Sequence, residues 1–186
     1  MDVWVIAVVV VVVVILLLAV FATRRRRPDG SRQLKERFGD EYDRVVESSG
    51  DRQEAERELS QRVERHERLE ITDLSPQQRE HYVMEWRDVQ RRFVDEPENT
   101  LGDADRLITQ AMRDRGYPTE HFGQKIQDLS VEHAGTIDAY RQAHEVADRH
   151  EASGVSTEEL RRAMQHYRTV FDDIAGTQAQ KGSETP

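Results

Sequence analysis

Residues 3–22 read VWVIAVVVVVVVILLLAVFA, and Arg24-Arg25-Arg26-Arg27 follow almost at once. About 20 apolar residues rising ~1.5 Å each match the roughly 30 Å hydrocarbon core of a bilayer. Valine's branched Cβ makes it a modest helix former in water. In lipid no water satisfies an open backbone, so a single span must be helical. Asp2 is the one side-chain charge before the run, whereas Arg32, Lys35 and Arg37 extend the basic flank after it. Positive flanks stay on the cytoplasmic side. The expectation is a transmembrane anchor over 1–23 in the cell membrane, the N-terminus outside, and a cytoplasmic body. A cleaved secretory signal fits less well. It needs a basic leading region and a shorter core of ~7–15 residues. No Gly-xxx-Gly spacing within the run argues for dimerisation through the membrane.

The rest of the chain is acidic. Of 27 basic and 36 acidic residues, four arginines and Asp2 flank the apolar run; the remaining 23 and 35 give a balance of −12. An acidic body repels phosphate backbones, so nucleic acid is not an expected partner. It also repels anionic lipid, which leaves Arg24, Arg25, Arg26 and Arg27 to meet the head groups, each worth about 1 kcal/mol there. There is no cysteine, hence no disulfide and no thiolate metal site. Lysine occurs only at 35, 125 and 181; arginine supplies the other basic positions, a bias typical of GC-rich genomes.

Pro28-Asp29-Gly30-Ser31 reads as a breaker cluster, so 24–30 is expected as basic flank and hinge. Apolar residues at 34, 38, 42, 45 and 46 keep helical spacing until Ser48-Ser49-Gly50. Residues 51–70 carry only the thin stripe Ala55, Leu59, Val63, His66 and Leu69 among charges. Region 31–70 therefore reads as an exposed, charged helical stalk, open to coiled-coil packing. Beyond Ile71–Leu74, five amphipathic helices are expected within 71–175, enough for one small bundle. Ser75-Pro76 caps the first and Asp95-Glu96-Pro97 divides it from the second, which stops at Gly116-Tyr117-Pro118. Thr119 is expected to cap a short third helix and Ser130 a fourth from about Glu132. Ser156-x-x-Glu159 is a capping box for the fifth. No segment alternates with period two, and residues 176–186 read as a disordered tail. The fold class expected is all-α.

Several segments occur in a distinctive combination: Arg92-Phe93-Val94-Asp95-x-Pro97, Ala104-Asp105-x-Leu107-Ile108 and Met112-x-x-Arg115-Gly116-Tyr117-Pro118. Asp128-Leu129-Ser130-Val131-x-His133, Tyr140-Arg141-x-Ala143-His144 and His166-Tyr167-Arg168-x-x-Phe171 complete it. Over roughly residues 34–175 the chain resembles a family of uncharacterised membrane-anchored bacterial proteins, some labelled secreted, common in high-GC groups such as actinobacteria. The resemblance implies class and origin and supplies no catalytic residue. The secreted label conflicts with the arginine flank, and the flank is the physical evidence.

Candidate chemistry is sparse. His144 and Asp148 lie one turn apart, where a zinc-protease helix would carry two imidazoles. A third ligand is not assigned, so no metal and no cofactor are expected. Ser130, Glu132 and His133 bring nucleophile, acid and base types together, but neighbours at a helix start rarely converge as a triad. Trp86, Phe93, Tyr140, Tyr167 and Phe171 at helical spacing read as core before pocket. The leading expectation is a non-enzymatic, single-pass helical module that binds a protein partner or organises one at the inner membrane. The alternative is a membrane-tethered small-ligand sensor or hydrolase-like enzyme built on His133, His144 and His166, and it requires those imidazoles to converge with an acidic group.

Overall fold

The computed structural model describes residues 28–176. The apolar run, the arginine cluster and the tail expected beyond Gly176 lie outside the described residues. Among the described residues there are eight helices and no strand, so the all-α class holds. None of these helices is long and apolar enough to cross a membrane. In chain order they are α1 (Pro28–Phe38), α2 (Asp40–Ser49), α3 (Arg52–His66), α4 (Pro76–Asp95), α5 (Pro97–Arg115), α6 (Phe122–Leu129), α7 (Ile137–Ser153) and α8 (Thr157–Ile174).

Local chemistry sets most boundaries. Asp51 accepts the amides of Gln53 and Glu54 at 2.6 and 3.1 Å and starts α3. Ser75 and Gln78 form a reciprocal capping box with Pro76 in the first turn of α4. Ser156 and Glu159 do the same for α8. Gly50 ends α2 and Gly116 ends α5 in left-handed conformation. At Gly116 a glycine is obligatory. Its φ is 100°, and a Cβ there would fall 2.4 Å from the Glu70 carbonyl oxygen.

The large core lies among α4, α5, α7 and α8, where α7 and α5 both pack on α8 and α4 packs on α5. Tyr82, Ile108, Met112, Tyr140, Tyr167 and Phe171 fill it. Trp86 of α4 stacks on Phe171 of α8 at 4.6 Å between centroids. A second core joins Phe38, Tyr42, Val45, Ala55 and Leu59 to Val131. Complete burial of a Phe or Leu side chain contributes ~1.5–3 kcal/mol.

That second core corrects the exposed-stalk expectation. Residues 31–70 are helical, but as three short helices that share one core and lie against α6 and the turn after it. The stripe on α3 is thin because α1, α2 and Val131 complete the apolar surface. The hinge expectation also changes: Pro28 opens α1, and Gly30 and Ser31 are inside the helix. Proline suits a first helical turn, where its missing N–H has no partner to lose.

Two caps differ from expectation as well. Ser130 is not an N-cap; its hydroxyl donates to the Gln127 carbonyl at 2.7 Å, past the end of α6. The next helix begins at Ile137 rather than near Glu132, because the amides of Glu132 and His133 both turn back to the Leu129 carbonyl. Val131 is thereby free to enter the second core. Thr119 does not cap α6, which starts after His121; its hydroxyl accepts from Arg113 Nε at 3.2 Å.

Candidate functional site

The three histidines singled out in the sequence are not brought together. His133 follows α6, and its Nδ1 lies 3.0 Å from Asp173 Oδ2 of α8. Thr136 donates to the same carboxylate oxygen at 2.6 Å. Arg115 Nη1 stands 3.4 Å from His133 Nε2. A guanidinium can only donate, so where His133 is neutral its Nε2 lone pair accepts from Arg115 and its Nδ1–H donates to Asp173. The lone pair a general base needs is thereby occupied. Burial raises the affinity of Asp173 for a proton, but His133 and Thr136 outweigh it and hold the carboxyl below its ordinary range.

Arg115 also donates to the carbonyls of Ile174 at 3.2 Å and Thr72 at 3.3 Å. The His133 group therefore clasps the end of α5, the end of α8 and the link before α4. Tyr117 is buried beside it and donates to Glu132 Oε2 at 3.1 Å. Ser130 belongs to a different group, where it accepts from Arg62 at 3.2 Å. Ser130, Glu132 and His133 form no triad.

His144 stacks on Phe122 with centroids 3.7 Å apart. Asp148, one turn along α7, stands 3.7 Å from His144 Nε2 and is largely exposed. His166 sits on α8 in a shallow groove with Glu145, Arg149, Glu159 and Arg162. Among the described residues, no group of three or more acidic or imidazole side chains is placed to hold a metal ion.

Two polar clusters escaped sequence reasoning. The first ties the α1–α3 layer to the bundle. Glu41 of α2 has a side chain only 1 % exposed. It accepts from Arg62 of α3 at 2.9 Å and from both terminal nitrogens of Arg141 of α7, each at 2.7 Å. Burial works against its charge, yet the two guanidiniums hold its pKa below the ordinary value. Beside it Arg65 pairs with the fully buried Asp128 at 2.8 Å.

The second cluster opens to solvent. Asp105 and Thr109 are one turn apart on α5, and Phe122 and Lys125 face them from α6. With Arg113 and Glu120 they line a half-open cavity of about 430 Å³. Lys125 is 4 % exposed. Its Nζ donates to Thr109 Oγ1 at 2.9 Å and lies 5.0 Å from the Tyr140 ring centroid and 5.4 Å from that of Phe122. Burial lowers its pKa, and Asp105 opposes this only in part. The hydroxyls of Tyr140 and Tyr167 are buried and interact with the Asp105 carboxylate. Burial first, and the Asp105 charge second, push both phenols up.

No family model, curated protein or solved structure matches the chain.

Proposed function

We propose that the chain is a single-pass, membrane-anchored helical module whose body faces the cytoplasm and serves as a protein-interaction or scaffolding unit, not an enzyme. The apolar run and its arginine flank support the anchor, the arginines meeting anionic head groups. The observation that carries the scaffold reading is the Glu41 clamp. The layer that begins directly after the arginine flank is fixed to the bundle by a buried carboxylate shared between Arg62 and Arg141. A body joined in this way holds its own surfaces fixed relative to one another, which is what a scaffold requires. The resemblance to anchored proteins of high-GC bacteria is consistent with this reading and adds no activity.

The histidine-based enzyme or sensor gains no support from the geometry. His133, His144 and His166 each have different neighbours, and the His133 base position is engaged by Arg115. The test is proximity labelling in intact cells with a labelling enzyme fused after residue 186. A reproducible set of proteins should be marked, and lost when an unrelated helical domain replaces residues 28–176 on the same anchor. An identical set from both fusions, across several growth conditions, would overturn the proposal.

A further inference from the structure

The cavity between α5 and α6 holds a buried ammonium that its surroundings leave incompletely satisfied. Lys125 has three N–H donors and one hydrogen-bond acceptor, Thr109 Oγ1. Two aromatic faces, from Phe122 and Tyr140, supply cation–π attraction. Among the described residues no carboxylate forms an ion pair with it. Asp105 offsets the buried charge only in part and leaves N–H donors unmet, which is costly, and a core that needed only volume there would be served better by an apolar side chain. Sequence usage points the same way. Lysine stands here in a chain that uses arginine at almost every basic position. A compact ammonium on a flexible stem fits beneath a small ligand where a planar guanidinium would fill the space.

The surrounding charges narrow the ligand. Arg106 at the rim is already paired with Asp103. Arg113 uses its Nε on Thr119. Asp105 and Glu120 line the same cavity and repel a second negative charge. With the Lys125 and Arg113 cations set against the Asp105 and Glu120 carboxylates, the cavity suits one negative charge, a carboxylate before a phosphate dianion. The Phe122 ring, which lines the cavity, offers an apolar wall for the rest of the molecule. We propose that this cavity binds a small monocarboxylate with an apolar or aromatic body, its carboxylate accepting from Lys125 Nζ. This site stands apart from the scaffold reading and from the three histidines.

The scarcity of lysine gives a direct readout. The full chain, carried in detergent micelles and labelled with ¹³C at the lysine side chains, has three lysines to report, at 35, 125 and 181. Lys125→Met identifies the buried one. Benzoate is the probe, with acetate and inorganic phosphate as comparisons. The expected result is a saturable shift of the Lys125 signal with benzoate, larger than with acetate or phosphate, while Lys35 and Lys181 stay in place. Equilibrium dialysis of labelled benzoate should show a bound fraction that Lys125→Met loses while its circular dichroism stays native. The proposal is overturned by equal shifts of all three lysines, by phosphate saturating Lys125 as readily as benzoate, or by no saturable shift. Undiminished dialysis binding by a folded Lys125→Met protein also overturns it.

Discussion

Arg141 of α7 grips Glu41 of α2 through both terminal nitrogens, each at 2.7 Å, across 100 residues of chain. The contact is long-range and buried, so removing one member leaves charge without its partner in a poor dielectric. Arg141→Ala should destabilise the body by about 2–4 kcal/mol, somewhat less than the ~3–5 kcal/mol of breaking an isolated buried pair, because Arg62 still holds one side of the carboxylate. Glu41→Met with Arg141→Met should recover much of that loss, because an apolar pair of similar volume leaves fewer charges buried. Chemical denaturation of the two variants is the measurement. The pH dependence has a definite sign. The folded pKa of Glu41 lies below its ordinary 4.5, so its contribution is complete above that value and is lost as pH falls through the folded pKa.

Gly116 ends α5 against the Glu70 carbonyl. Alanine there meets both the positive φ and the 2.4 Å contact. Gly116→Ala should cost about 2–4 kcal/mol, combining backbone strain with overpacking. Gly50→Ala is the control. Gly50 shares the left-handed conformation but has open space around it, so its thermal midpoint should fall less.

His66 is buried at the end of α3, with Nε2 lacking a hydrogen-bond partner. Burial lowers its pKa from 6.5. The charges of Glu132 and Asp128 oppose this, while Arg37 and His133 reinforce it. A lowered imidazole pKa means that the unfolded chain takes up the proton first. Its contribution to stability is therefore complete above pH 6.5 and is lost as pH falls through the folded value. Stability of the native protein should fall between pH 7 and pH 5, and His66→Phe should flatten that slope. An unchanged slope in the variant would assign the effect to other groups.

Features that depend on neighbours a few residues apart were legible in the sequence. Ser75 with Gln78, Ser156 with Glu159, and Gly116 before Pro118 each mark a helix end with its own chemistry, and each boundary falls where that chemistry puts it. The burial of Tyr140, Tyr167 and Phe171 followed from helical spacing. The α1–α3 layer was not legible, because Ala55 and Leu59 make a core only with Phe38, Tyr42 and Val131, the last more than 70 residues away. Glu41, Arg62 and Arg141 look like solvated charges in a segment rich in them; nothing local marks them as buried. The Asp105–Lys125 cavity left one faint trace, a lysine among arginines. His133 stood out for its type, and the structure gives it a structural partner in Asp173.

The anchor and its orientation underlie the proposed function, and a pair of reporter fusions after residue 186, expressed in a bacterial host, tests them most directly. One reporter fluoresces only when folded in the cytoplasm; the other is a phosphatase active only in the periplasm. The account predicts membrane-bound fluorescence, no phosphatase activity, and an uncut chain that resists extraction by salt. Active phosphatase, or a soluble product cleaved just after residue 22, would contradict it.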